Sequence, residues 1–257
     1  MTTARPSGPV NDPSGARDVY LSLVIPAHNE ARRLPGTLDR IRDFLSTTDF
    51  AAEVVVVENA SSDGTWEIAH AVSRQDERVR VVREPVRGKG AAVRRGMLEA
   101  RGAYRFLCDA DLSMPIEEVV RFLPPHLDGT EVGIGSREAT GAVRYQEPPR
   151  RHVMGRLFNA LVRALLIADI QDTQCGFKCF RGDAAEQIFS RVTLTGYCYD
   201  VESLVIAGRL GYRMVEVPVP WTFDSDSRVR VVRDTIDMVL DLFVIWTNAK
   251  RGRYDRT

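Results

Sequence analysis

No stretch of the chain reaches the roughly 18 to 20 consecutive apolar residues that a membrane-spanning helix requires, and the N-terminus holds no apolar core of the kind a secretory signal carries. Neither sign of charge is in excess. With 35 Lys plus Arg against 35 Asp plus Glu, the cationic surplus of a nucleic-acid binder is missing. Cysteine is scarce: Cys108, Cys175, Cys179 and Cys198 form no CxxC pair and have no matching histidine cluster. That removes a zinc site and a disulfide framework, and makes a reducing, cytoplasmic setting the expectation. Residues 1 to 18 are rich in Pro, Gly, Ser and Thr and read as a disordered lead-in. The remainder shows neither an internal repeat nor a clear linker, and its length suits one large α/β domain over residues 19 to 227, followed by a C-terminal helix and basic tail over 228 to 257.

From Tyr20 the pattern alternates. Tyr20 to Ile25 reads as a buried strand, and Leu34, Leu38, Ile41 and Leu45 then recur at helical spacing. Glu53 to Glu58, Val79 to Val82 and Tyr104 to Cys108 read as three further strands, separated by helices starting near Gly64 and Gly90. Four such units imply a mainly parallel sheet covered by helices, Rossmann-like in class. Ligands of open sheets bind beyond the carboxyl ends of the strands, so the segments at Pro26 to Glu30, Glu58 to Gly64, Arg87 to Gly90 and Asp109 to Ser113 should converge.

Two nucleotide-binding signatures fail on inspection. A GxxxxGK[ST] loop around Gly88-Lys89 would need Gly at Arg83 and Ser or Thr at Gly90, and GxGxxG from Gly88 meets Val93 at its last position. Asp109-Ala110-Asp111, at the end of a strand, remains. Two carboxylates one residue apart on a turn can approach a hard divalent cation that also binds a diphosphate. Equally, Asp109 can bond loop amides while Asp111, or Ser113, caps a helix starting near Pro115.

IPAHNE (Ile25 to Glu30), NASSDGT (Asn59 to Thr65), RGKGAA (Arg87 to Ala92), DADLS (Asp109 to Ser113), GSR (Gly135 to Arg137) and DTQCGFKCF (Asp172 to Phe180) occur in order. Together they resemble the inverting family 2 glycosyltransferases of GT-A fold, and within them the polyprenyl-phosphate sugar synthases of the dolichyl-phosphate β-glucosyltransferase kind. The resemblance implies a hexosyltransferase that uses a nucleoside diphosphate sugar, UDP-linked given QCGFK and YDVE (Tyr199 to Glu202), with Mg²⁺ or Mn²⁺ as cofactor and a polyprenyl phosphate as acceptor. A glycosyltransferase with a soluble acceptor and a non-catalytic nucleotide-sugar binder are the rival readings.

Carried over position by position, the resemblance places Pro26, Ala27, Asn29 and Glu30 around the base and ribose of the donor. Glu58 and Asn59 stand where the family usually has two aspartates. Lys89, at a helix start, would meet the donor phosphates together with backbone amides. Asp109, Ala110 and Asp111 would hold donor and metal, with Asp111 the direct ligand. Arg137, Arg151 and Lys178 would surround the acceptor phosphate. Asp172 matches a carboxylate with a catalytic or orienting role, for which Asp200 and Glu202 are rivals. An ionised phosphate is itself a nucleophile and needs little help from a base.

Two amphipathic segments complete the reading. Val153, Leu157, Leu161 and Leu165 form an apolar stripe beside Arg151, Arg156 and Arg163, as in a membrane-surface helix or, alternatively, one packed on the core. A helix over Arg228 to Lys250 is apolar around most of its circumference and leads into Lys250, Arg251 and Arg253. Either it docks with the first on a membrane surface at the inner face, a membrane partner protein or a second subunit, or it is buried on its own domain.

Overall fold

The computed structural model describes residues 19–224 and 231–255, and side chains of the C-terminal helix from residue 236 onward. In chain order the elements are β1 (Leu21–Ala27), α1 (Leu34–Ser46), β2 (Ala52–Glu58), α2 (Thr65–Ser73), β3 (Val79–Arg83), α3 (Lys89–Glu99), β4 (Tyr104–Cys108), a 3₁₀ helix (Ile116–Phe122), β5 (Val132–Ser136), β6 (Val143–Tyr145), α4 (Pro149–Leu165), β7 (Phe177–Arg181), α5 (Gly182–Phe189), α6 (Tyr199–Arg209), β8 (Met214–Pro218), β9 (Pro220–Thr222) and α7 (Val231–Lys250). The expected start of the last helix at Arg228 lies outside the described residues.

The main sheet runs β3-β2-β1-β4-β7-β5-β8, and β6 pairs with β9 at its side. Its first four strands are parallel, as the alternating pattern anticipates. Successive residues serve opposite faces: Leu23, Ile25, Val54 and Val56 pack with α1 and the 3₁₀ helix, whereas Val24, Val55 and Val57 face α3, α5 and α6. Burial on both faces is why these strands read as unbroken apolar runs. β7 departs from the parallel scheme, pairing antiparallel with both β4 and β5. The helix expected after Pro115 is a 3₁₀ helix capped by neither Asp111 nor Ser113; Asp111 Oδ1 instead accepts the Ser113 amide at 2.9 Å, closing a local turn. β1 also runs past Pro26, which pairs in register with Val57 rather than ending the strand.

After β3 the chain returns to the other side of β1, so β1 and β4 flank the point where strand order reverses. In open α/β sheets that point opens a crevice above the strand ends. α3 lies directly over it. A Cβ at Gly96 would collide with Val24 and stand 2.7 Å from Val57 Cγ2, so the helix approaches the sheet only because this residue has no side chain. Gly36 in α1, in contrast, has nothing within 4 Å of its would-be Cβ. Both alanine replacements gain up to about 1 kcal/mol of helix propensity, but overpacking at position 96 costs about 1–3 kcal/mol. In urea denaturation Gly36→Ala is therefore expected to be neutral or stabilising and Gly96→Ala destabilising; equal effects would contradict the close approach.

Candidate active site

The four loops beyond β1 to β4 are stitched to one another. Asn29, in the left-handed region at φ 53°, accepts the Ser62 amide on Oδ1 at 2.7 Å and donates its own amide to Ser61 Oγ. Ala60 (φ 48°) and Leu112 (φ 46°) adopt the same conformation after β2 and β4. Such backbone, uncommon for residues with a Cβ, is held where surrounding bonds over-determine it. Asn59 is nearly buried, and its amide is already employed: Nδ2 donates to the Glu84 and Val86 carbonyls at 2.9 and 2.7 Å, and Oδ1 accepts the Gly88 amide at 2.9 Å. It ties the second loop to the third, so its side-chain amide is occupied within the protein. Glu58 likewise turns inward, accepting the Ser61 amide. Ala27 and Ala110 are buried, their carbonyls bound to the Asn59 amide and the Thr37 hydroxyl, so they support the cleft from below. Pro26 and Glu30 remain half-buried at its edge.

In the cleft stand two lysine–aspartate pairs. Lys89, from the first turn of α3, reaches both oxygens of Asp109 at 2.7 and 2.9 Å. Lys178, from β7, bonds Asp200 at 2.6 Å and the Cys175 carbonyl at 2.7 Å. Burial opposes the Lys89 charge, yet Asp109, Asp200 and Asp111 outweigh it and hold the ammonium above the ordinary lysine range. Desolvation raises the Asp111 carboxyl, and the neighbouring Asp109 charge adds to that. Gly176 makes room for this cluster, because a Cβ there would displace the Asp109 carboxylate.

Two expectations are corrected at this point. Lys178 is fully buried in its pair with Asp200, so it cannot touch a lipid phosphate. The amides of Gly90 and Ala91 are not open to donor phosphates either; both donate to the Thr195 carbonyl, at 2.8 and 3.3 Å. Thr195 is in turn positioned by Glu202. That buried carboxylate accepts the Thr193 and Leu194 amides, the Thr193 hydroxyl and the Tyr254 hydroxyl, which makes it an organiser of the loop over α3 rather than a base.

Beyond β5, Arg137 grips Asp172 in a two-pronged pair, Nε to Oδ2 at 2.7 Å and Nη2 to Oδ1 at 2.9 Å, while its backbone amide also donates to Oδ2. Asp172 is wholly buried. Burial works against its charge, but Arg137 prevails and holds its pKa down to about 2. A carboxylate so stabilised accepts protons poorly, and of its two expected roles, catalytic or orienting, its bonds to Arg137 favour the orienting one. Arg137 also lies 5.3 Å from the Trp221 ring, and Arg151 lies 5.0 Å from that of Phe223. Burial depresses the Arg151 pKa, the Arg137 charge adds to that, and the Glu147 carboxylate works the other way. Sequence reasoning missed Trp221, Phe223 and Glu216, whose carboxylate accepts the Gln171 and Asp172 amides. None of them sits in a motif with characteristic spacing.

With this geometry in hand, comparison with known proteins is informative. The profile of Glycosyl transferase family 2 matches residues 22–189. The dolichyl-phosphate beta-glucosyltransferase of Drosophila melanogaster is 36% identical over 251 residues, covering 91% of this chain and 76% of that protein. The human protein of that name is 31% identical, covering 88% and 74%. Among solved structures, glucosyl-3-phosphoglycerate synthase from Mycobacterium tuberculosis, in complex with Mn²⁺, UDP-glucose and phosphoglyceric acid, superposes with a TM-score of 0.66 at 20% identity, covering 92% of this chain and 81% of that one. At that identity the likeness establishes a shared fold.

Because the native Asp172 pKa lies below the ordinary carboxylate value near 3.9, its pair with Arg137 stabilises the fold above about pH 4 and loses that contribution as pH falls through about 2. Asp172→Asn is expected to lower unfolding free energy at pH 7 by about 3 kcal/mol. The gap to the native protein should narrow in urea titrations run from pH 4 downward; a gap independent of pH would contradict the assignment.

Proposed function

The chain belongs to glycosyl transferase family 2, and from that premise we propose that it moves a hexose from a nucleoside diphosphate sugar, UDP-linked, to a polyprenyl phosphate. The observation that carries the acceptor half is the pair Arg137 and Arg151. Arg137, fixed by Asp172 and beside Trp221, and Arg151, beside Phe223, bring two guanidinium groups to one side of the cleft, where a phosphate monoester would receive charge-assisted hydrogen bonds. Similarity to dolichyl-phosphate beta-glucosyltransferases supports the same acceptor class. In this reading the reaction takes place at the cytoplasmic face of a membrane, where a water-soluble donor meets a lipid-borne phosphate.

On the donor side, Asn29 and Glu30 stand at the rim for the nucleotide, and Lys89 shares its ammonium between Asp109 and the diphosphate. Asp109 and Asp111 fit a divalent cation, Mg²⁺ or Mn²⁺. They are hard oxygen donors whose like charges crowd each other, and among the described residues no cluster of three His, Cys, Asp or Glu forms a closed protein cage. Such an arrangement suits an ion that takes further oxygens from water and phosphate. When bound, the cation supplies positive charge at the diphosphate leaving group.

No base is required of the protein. The acceptor's phosphate oxygen is already ionised, and the neighbouring carboxylates are engaged, Asp172 with Arg137 and Asp200 with Lys178. The residues contribute alignment and electrostatic complementarity: Arg137, oriented by Asp172, holds the phosphate, and Lys89 faces the charge that develops on the departing nucleotide.

Steady-state kinetics test both halves. Removing one charge-assisted contact costs about 1.5–3 kcal/mol, so Arg137→Ala and Arg151→Ala should each raise the KM for a prenyl phosphate by about tenfold or more while leaving the donor KM in place. Equal effects on both substrates would overturn the acceptor assignment. Asp111 is exposed, so Asp111→Asn should leave the melting temperature unchanged and lower kcat by more than about tenfold; retention of the native rate would remove Asp111 from the donor site.

A further inference from the structure

Fifteen large hydrophobic side chains are exposed among the described residues, and ten of them lie on two touching helices, five on α4 and five on α7. On α4, Val153, Leu157, Leu161 and Leu165 follow one another at helical spacing on the side away from the core, with Leu157 66% exposed; the core side is supplied by Phe158, Asn159 and Val162. The alternative that this stripe is core packing is thereby corrected. On α7, Leu242, Ile245 and Ala249 are buried, whereas Leu240, Phe243 and Trp246 point outward. The helix packs on its own domain and still presents a second apolar stripe. A patch of this kind on a polar surface marks an interaction site.

Charge identifies the occupant. α4 carries Arg150, Arg151, Arg156 and Arg163 and not one acidic residue. Lys250, Arg251 and Arg253 are exposed at the end of α7; of the acids on the described part of that helix, Asp241 lies near Gly196, and Asp237 is exposed more than two turns before the basic end. Between α4 and the loop before β7 opens a cavity of about 290 Å³ lined by Glu138, Arg156, Asn159, Arg163 and Gln171. The Arg156 side chain makes no ion pair or hydrogen bond among the described residues, and the Arg163 guanidinium makes only a long bond, 3.4 Å, to the Gln171 carbonyl. The Glu138 carboxylate is committed to Arg144 at 2.5 Å. The cavity therefore holds two cations without counter-ions at the border of an apolar stripe. Exposed apolar stripes on two touching helices, with guanidinium groups on the same helix as one of them, are complementary to the acyl boundary and phosphate layer of a lipid leaflet. No helix among the described residues is long and apolar enough to cross a membrane, so contact of this kind lies along the surface.

We propose that α4 and α7 together form a docking face for an anionic phospholipid bilayer, and that the Arg156–Arg163 cavity takes the phosphate of a lipid headgroup. The inference rests on the reading that the acceptor is drawn from a membrane, and it supplies the surface by which the Arg137–Arg151 pair is brought to the headgroup layer.

The test uses the full chain and two kinds of vesicle, phosphatidylcholine alone and phosphatidylcholine mixed with phosphatidylglycerol. Two double variants accompany it, Leu157→Glu with Leu240→Glu and Arg156→Gln with Arg163→Gln, each checked for native circular dichroism. Native protein is expected to sediment with the mixed vesicles. The leucine variant should lose vesicle binding altogether. The arginine variant should lose its preference for phosphatidylglycerol by roughly tenfold or more, each basic residue at such a surface being worth about 1 kcal/mol. Both should keep native kcat and KM toward a short, water-soluble prenyl phosphate. Unchanged vesicle binding in either variant overturns the proposal. So does a dimer in light scattering that the leucine variant dissolves, which would assign the face to a second copy, or a raised acceptor KM in the arginine variant with vesicle binding intact, which would make the cavity an acceptor subsite. Competition by free glycerol phosphate as strong as that by vesicles would assign it to a soluble anion. Vesicle binding without any transfer to prenyl phosphate supports docking and counts against the acceptor reading.

Discussion

Asp172 has no contact with solvent, and the acceptor side of the cleft is organised around keeping its charge matched. An ionised carboxylate without a partner in such a place would cost several kcal/mol, so Arg137 is compelled to lie across it with both nitrogens engaged. That compulsion turns a flexible side chain into a fixed one. Fixed in this way, the guanidinium lies 5.3 Å from the Trp221 ring and adds its charge to the surroundings of Arg151, where the proposed acceptor phosphate would be met. The stretch from Asp172 to Lys178 extends the constraint to the donor side. Gly176 lies against the Asp109 carboxylate, and Lys178 neutralises Asp200 beneath Lys89. The loop from Asp172 and the strand β7 that it leads into thus link the two half-sites.

The donor side obeys the same economy of charge. Three carboxylates, Asp109, Asp111 and Asp200, face two ammonium groups, Lys89 and Lys178, which leaves one negative charge in excess at the exposed edge where Asp111 stands. That excess suits a divalent cation arriving with a diphosphate. Glu202 and Tyr254 hold the Thr193 to Gly196 loop down onto α3, so the position of Lys89 depends on contacts made by the C-terminal end of the chain.

Much of this was legible in the sequence wherever local rules dominate. Buried parallel strands read as contiguous apolar runs, which is why β1 to β4 and the helices between them lie within a few residues of their expected places, and why Asp109 and Asp111 could be located after a strand end and Lys89 at a helix start. What was illegible depends on partners distant along the chain. Nothing in FKCFR says that β7 inserts antiparallel between β4 and β5. Nothing near Lys178 announces that Asp200 will bury it, and nothing near Asn59 that the Glu84 and Val86 carbonyls will saturate its amide. Motif positions survive such pairing, but the atoms left free for a ligand do not follow from them. The exposed stripes on α4 and α7 show the converse: periodicity located them, and only the packing of Phe158, Val162, Leu242 and Ile245 determined which side faces out.

The account stands on recognition of a phosphate by Arg137 and Arg151, and product analysis addresses that most directly. Purified protein would be incubated with Mg²⁺ or Mn²⁺, a panel of nucleoside diphosphate hexoses, and either a short polyprenyl phosphate or the corresponding polyprenol, and the products weighed by mass spectrometry. The account predicts a hexosyl phosphate ester of the lipid and no product from the alcohol. Transfer to the alcohol at a comparable rate, or hydrolysis of the donor with no glycosylated lipid, would contradict it.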